Sequence, residues 1–187
     1  MIRALVLCGG ESKRMGKDKG LLALGSGNWA THTVFKLEQL NIPVNVSINP
    51  TQLETYSHFF SAEQLIIDET SAKGPLQGLL SAGLKYPNDD LLLLACDMIE
   101  MDIETLKELL EHTLTFPCYD YYVYAQEDFM EPLCAIYPSA TLKKLNQQLE
   151  QGNLSGFSLY KLIKKGNYKT LPISNIQTFN NHNTATI

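Results

Sequence analysis

The chain has 187 residues, a net charge of −5, 44% hydrophobic and 19% charged side chains. These are the proportions of an ordinary globular domain with room for a sizeable core, and the acidic balance excludes a general nucleic-acid or anionic-membrane surface. Cysteines 8, 96, 118 and 134 contain no Cys-x-x-Cys pair, which excludes the usual zinc signatures.

In chain order, residues 2–7 (Ile-Arg-Ala-Leu-Val-Leu) form a branched apolar run that predicts a buried strand. The loop over residues 7–19 follows directly. Gly9 and Gly10 let the backbone turn sharply and approach a ligand, and the next nine residues carry Lys13, Arg14, Lys17 and Lys19. Turned backbone amides beside clustered cations suit a polyphosphate, so the segment reads as a nucleotide-triphosphate loop, with a solvated basic loop as the plainer alternative. It is not a P-loop: five residues separate Gly10 from Gly16, and Lys17 is followed by Asp18 instead of a hydroxyl. Residues 25–30 match the dinucleotide fingerprint in letters, yet no acid ends the apolar run at 44–48 to take a ribose hydroxyl.

A helical stripe covers residues 29–40, and 43–48 alternate as a strand broken by Asn49-Pro50 before a helix-like segment to Phe60. Residues 65–67 make a short strand ending at Asp68. Gly74-Pro75 opens a helix over 76–85, since proline suits a first helical turn. Residues 90–95 are apolar on both faces, as a central parallel strand requires. Asp102 caps a helix through Leu114. Strands over 119–125 and 133–137 are expected on either side of an acidic turn, residues 126–131, followed by helices over 139–151 and 156–164 and a last strand over 168–173. The alternation predicts one α/β domain, a Rossmann-like three-layer sandwich with a mostly parallel sheet and helices on both faces.

Ligands of such sheets sit beyond the carboxyl ends of the strands. The cationic loop, Asp68 and Asp97 all fall at that edge. Magnesium is typically held by one or two carboxylates plus substrate phosphates and water, so Asp97 reads as a Mg²⁺ ligand bridging to a nucleotide, against the alternative of an Asp bonding its own turn. Asp68 reads as a second ligand-facing acid or an ordinary loop acid. Gly74 and Gly78 flank a helix start that attracts anions, and residues 179–184 are amide-rich, a ligand contact or a frayed polar tail.

Together these residues resemble the molybdenum cofactor guanylyltransferases, within the nucleotidyltransferases of the glycosyltransferase-A-like fold. The family signature Leu-Ala-Gly-Gly, Ser-x-Arg-Met-Gly-x-Asp-Lys stands here as Leu7-Cys8-Gly9-Gly10 and Ser12-Lys13-Arg14-Met15-Gly16-Lys17-Asp18-Lys19. The family's Gly-Pro-Leu-x-Gly is Gly74 to Gly78, its Cys-Asp-x-Pro is Cys96-Asp97-Met98-Ile99, its Pro-Leu is Pro132-Leu133 after Glu131, and its Asn-x-Asn-Thr is Asn181-His182-Asn183-Thr184. Cys8 replaces the usual Ala, and Ile99 replaces Pro.

The resemblance implies guanylyl transfer from Mg-GTP to the terminal phosphate of molybdenum-bearing molybdopterin, with pyrophosphate released. It implies backbone contacts from Leu7, Cys8, Gly9 and Gly10, phosphate contacts from Lys19 with Arg14, a guanosine contact from Asp68, and Ser47 where relatives often have Asn. Gly74 and Gly78 join the nucleotide side, Asp97 binds nucleotide and Mg²⁺, and Asn181 and Asn183 bind the acceptor. On this basis residues 1–100 form a nucleotide-binding half and 101–187 an acceptor-binding half of a cytoplasmic monomer, in transient contact with proteins that deliver or receive the cofactor. A cytidylyltransferase acting on the same pterin, a sugar-phosphate nucleotidylyltransferase and a non-catalytic binding homologue remain the alternatives.

Overall fold

The computed structural model describes residues 1–9, 18–127 and 129–181. Among these the elements are β1 (Ile2–Leu7), β2 (Ala23–Leu24), β3 (Gly27–Asn28), α1 (Trp29–Glu38), β4 (Val44–Ile48), α2 (Leu53–Tyr56), β5 (Leu65–Ile67), α3 (Pro75–Lys85), β6 (Asp90–Ala95), α4 (Ile103–Thr115), β7 (Tyr121–Gln126), β8 (Phe129–Tyr137), α5 (Ser139–Glu150), α6 (Leu159–Lys165) and β9 (Tyr168–Leu171). Short 3-10 turns lie at Lys19–Leu21, Pro50–Gln52 and Ile176–Phe179.

Seven strands form one sheet in the order β5-β4-β1-β6-β8-β7-β9, and β8 alone runs against the rest. Alternation along the strands divides the core. Ala4, Val6, Leu92 and Leu94 face α1 and α4, while Leu5, Leu7, Leu91 and Leu93 face α3, α5 and α6. All four leucines from Leu91 to Leu94 are fully buried, each contributing roughly 1.5–3 kcal/mol of apolar burial. This is the expected three-layer α/β sandwich.

Local chemistry starts the helices where the sequence places them. Asn28 Oδ1 accepts from the Thr31 N–H and Thr31 Oγ1 accepts from the Asn28 N–H, both at 2.9 Å, a reciprocal cap for α1. Asp102 Oδ1 accepts from the Thr105 N–H at 2.7 Å and caps α4. Residues 25–30 belong to no dinucleotide turn: Gly25, at φ 56°, turns the β2–β3 hairpin and Asn28 caps the helix.

Several boundaries differ from expectation. α1 ends at Glu38 because Asn41 takes a left-handed φ of 55° ahead of Pro43. Of residues 50–60 only Leu53–Tyr56 is α-helical. α6 starts at Leu159, since Gly156 sits at φ 137° and Ser158 is the cap. β9 stops at Leu171, before Pro172, which has no N–H for the ladder. The consequential correction is at residues 126–131. The expected acidic turn is mostly strand: Gln126 pairs with Phe129 and Ala125 with Met130, so Glu131 lies within β8 and is buried. Cross-strand pairing outweighs the local run of acids.

Candidate active site

The chain passes from β1 outward to β4 and β5, then returns to the other side of β1 as β6. The reversal makes the carboxyl ends of β1 and β6 the topological switch point, where open α/β sheets bind ligands. Leu7 pairs with Ala95, and the Cys96 N–H donates to the Leu7 carbonyl at 3.2 Å, which carries the ladder one residue further before Asp97 turns away.

Asp97 and Lys19 meet at this point. Lys19 Nζ donates to Asp97 Oδ2 at 2.9 Å, with side chains 25% and 15% exposed. The other oxygen, Asp97 Oδ1, is buried and has no hydrogen-bond partner among the described residues. An ionised oxygen left so is costly, commonly 1–3 kcal/mol or more, and its position at the switch point fits a hard divalent cation. No trio of ligating side chains occurs among the described residues. A Mg²⁺ at Asp97 would therefore complete its shell with substrate phosphate and water, as that ion prefers.

Lys19 is held in place by its neighbour. Asp18 Oδ1 accepts from the Gly20 N–H and the Tyr56 hydroxyl, both at 3.0 Å, and Asp18 Oδ2 accepts from Gln52 Nε2. The same Gln52 amide reaches the Cys8 carbonyl at 3.2 Å. Burial drives the Tyr56 hydroxyl far above its ordinary pKa, so it remains a donor. The returning end of the cationic loop is thus tied to the α2 region and to the tip of β1.

On the other side of β1 sits Asp68. The residue is 7% exposed, and Oδ1 accepts from Ser47 Oγ at 2.6 Å. Burial pushes its pKa up to about 6, opposed by the Ser47 bond. Two glycines make room for the pair: a Cβ at Gly9 would overlap Asp68 Oδ2, and one at Gly78 would overlap Ser47 Oγ. Ser47 itself has no exposed surface, and its carbonyl accepts from the N–H groups of Cys8 and Gly9 at 3.0 and 2.9 Å. In this structure Ser47 therefore reaches the site through Asp68, and those two amides serve the fold. Gly74, at φ 63°, precedes Pro75 at the start of α3, and Gln77 Nε2 ties that turn to the Asp68 carbonyl at 3.3 Å.

Of the residues expected from sequence, Leu7, Cys8, Gly9, Lys19, Ser47, Asp68, Gly78 and Asp97 gather around the ends of β1, β4 and β6, with Gly74 at the mouth of α3. Asn181 lies across the rim, its Nδ2 3.4 Å from Glu131 Oε2. Beside it Asn180 Nδ2 donates to Glu100 Oε2 at 3.0 Å, at a polar hollow of about 460 Å³ lined also by Asn175, Gln177 and Thr178. Gly10, Arg14 and Asn183 lie outside the described residues. Sequence reasoning missed Gln52, Tyr56, Lys36 and the burial of Glu131. Gln52 and Tyr56 carry no motif, whereas Glu131 stands next to the Pro132-Leu133 motif.

The model of the MobA-like NTP transferase domain matches residues 4–167. A molybdenum cofactor guanylyltransferase of Ectopseudomonas mendocina is 32% identical over 153 residues, covering 81% of this chain and 73% of the relative. The crystal structure of molybdopterin-guanine dinucleotide biosynthesis protein A from Archaeoglobus fulgidus superposes with a TM-score of 0.77 at 21% identity, covering 98% of this chain and 93% of the other. A Mycobacterium tuberculosis protein solved with manganese has the same fold, with a TM-score of 0.65 at 14% identity over 92% of this chain and 87% of its own. Among the described residues no helix is long and apolar enough to cross a membrane.

Proposed function

The chain belongs to the MobA-like NTP transferase family and is a nucleotidyltransferase, and from that premise we propose that it transfers GMP from Mg-GTP to the terminal phosphate of molybdenum-bearing molybdopterin. The observation that carries this reading is the Lys19–Asp97 pair at the switch point, with Asp97 Oδ1 buried and unsatisfied. Asp97 would hold Mg²⁺, which when bound would supply charge neutralisation. Lys19, anchored through Asp18, contacts the phosphates, a role the family motif gives to Arg14 as well, and Asp68 takes the guanosine side against Gly9 and Gly78. The first hundred residues thereby form the nucleotide half, and 101–187 carry the acceptor contacts through Asn181 and Asn183. We further assign the protein to the cytoplasm, as a monomer in transient contact with proteins that supply or receive the pterin.

The reaction is a displacement at the α-phosphorus. An oxygen of the acceptor phosphate forms the new P–O bond, and the bond to the β-phosphate breaks with its electron pair leaving on pyrophosphate. Because the acceptor oxygen is already anionic, no side chain has to remove a proton. Positioning and charge neutralisation then do most of the work. Lys19 screens Asp97 before the nucleotide arrives and turns to the phosphates when it binds.

The test is direct: purified protein, Mg-GTP labelled in the guanylate, and a molybdopterin-bearing acceptor, with label followed into product. Label in the dinucleotide product and equimolar pyrophosphate are expected. A preference for CTP in competition, or pyrophosphate release only with sugar phosphates, would overturn the assignment.

A further inference from the structure

We propose that Glu131 is a positioning residue for the acceptor: it holds the Asn181 side chain with its NH₂ inward, so that the amide oxygen is what Asn181 presents to the acceptor. The inference rests on the reading above that Asn181 lies on the acceptor side of the transferase.

The antiparallel register of β6 and β8 runs from Leu91 opposite Tyr137 to Leu94 opposite Cys134. Three residues beyond that last pair, β8 carries Glu131 and the turn after β6 carries Asp97. The two carboxylates are near enough for Asp97 to add to the upward pKa shift that burial imposes on Glu131. Glu131 is only 4% exposed, and buried carboxylates persist where they are bonded. Its Oε1 accepts from the Leu133 N–H at 2.9 Å, which fixes the side chain to its own strand. Its Oε2 accepts from Asn181 Nδ2 at 3.4 Å.

Both oxygens of Glu131 accept hydrogen bonds in this structure, whereas an amide has one donating and one accepting end. Glu131 therefore dictates the flip of Asn181, and the free end is Oδ1. An amide oxygen pairs with an N–H or O–H and repels a phosphate oxygen. Asn181 thus recognises a hydrogen-bond donor on the non-phosphate part of the acceptor, such as a ring N–H or exocyclic amine of a heterocycle. The phosphate end is left to Lys19 across the rim.

The experiment compares the full-length wild type with Glu131→Gln, Glu131→Ala, Asn181→Ala and the double variant Glu131→Gln/Asn181→Ala. In Glu131→Gln the new amide oxygen takes the Leu133 N–H and its NH₂ faces Asn181, which inverts the amide it used to orient. Loss of one such contact is expected to raise the acceptor KM about tenfold, with the KM for GTP and the Mg²⁺ requirement within twofold of wild type. Asn181→Ala should match it, and the double variant should be no worse than Asn181→Ala alone, as coupled neighbours behave. Additive losses, an equal rise in the KM for GTP, or an unchanged acceptor KM in Glu131→Gln would each overturn the proposal. Should Glu131→Ala melt early, the isosteric Glu131→Gln and the exposed Asn181→Ala decide the matter. Wild-type protein that transfers no guanylate removes the transferase reading and this inference with it. Wild-type transfer with an unaffected Glu131→Gln removes the inference alone.

Discussion

The two sides of the rim are built differently. On the proposed nucleotide side the acids are held by other segments of the chain: Asp18 by the Gly20 amide, Gln52 and Tyr56, Asp68 by Ser47 in the space left at Gly9 and Gly78, and Asp97 by Lys19. These contacts hang on the ends of parallel strands whose positions the core already dictates. The acceptor side hangs on two carboxylate–amide bonds, Glu100 to Asn180 and Glu131 to Asn181, at 3.0 and 3.4 Å. Its anchor is Phe179, buried with its ring centroid 5.0 Å from that of Tyr124. On the proposed assignment, donor binding is preorganised by the fold, while acceptor recognition depends on the segment over residues 175–181, docked by Phe179 against Tyr124.

The largest effect expected from this contrast is at Asp97. Asp97→Ala should lower kcat by about 10² to 10³ or more, the usual result of deleting a preorganised electrostatic group. Its thermal melt should move little, because the loss of the partly exposed Lys19 bond to Oδ2 is offset by removal of the buried, unsatisfied Oδ1. Steady-state turnover and a melting curve on the same sample check both parts, and near-normal turnover would remove the metal assignment.

Asp68→Asn comes next and should split stability from binding. The folded-state pKa is raised to about 6 from an ordinary 3.8, so the folded protein holds this proton more tightly than the unfolded chain. Stability from this group is present in acid and is lost as pH rises from about 4 through 6. Above pH 6 the buried anion costs up to about 3 kcal/mol, from about 1.4 kcal/mol per pKa unit. The amide can still accept from Ser47, so Asp68→Asn should melt several degrees higher than wild type at pH 7.5 and equally at pH 4. Its KM for GTP should rise about tenfold through loss of a charge-assisted bond. A melting series across pH with GTP kinetics at neutral pH tests both signs.

The same contrast explains what the sequence revealed. Residues 2–7, 65–67 and 90–95 were legible as strands because each is apolar on the faces it buries, and Lys19, Asp68 and Asp97 followed as the residues just past β-strand ends or within the cationic loop. Register was not legible. That Glu131 lies near Asp97 depends on β8 running antiparallel beside β6, which a run of acids disguised as a turn. Gln52 and Tyr56 act through Asp18 across more than thirty positions of sequence, and no local pattern announces a contact of that range. Ser47 stands where the resemblance puts an Asn, and no sequence pattern showed that its buried hydroxyl donates to Asp68.

The smallest effect, and the sharpest test of the division between the two sides, is expected at Lys36. This lysine projects from α1, and burial lowers its pKa. Its Nζ donates to the Ile99 carbonyl at 2.8 Å, bracing the turn that carries Asp97 where relatives have a proline. Proline restricts such a turn through its own ring; here a side-chain bond from another element does that job. Lys36→Met keeps the apolar stem and removes the bond, worth about 0.5–1.5 kcal/mol. If the loosened turn weakens the hold of Asp97 on its cation, the Mg²⁺ concentration for half-maximal rate should rise a few-fold while the acceptor KM stays constant. A rise in acceptor KM of the same size would mean that the Asp97 turn and the Asn181 side move as one, and the two sides of the rim would no longer be separable.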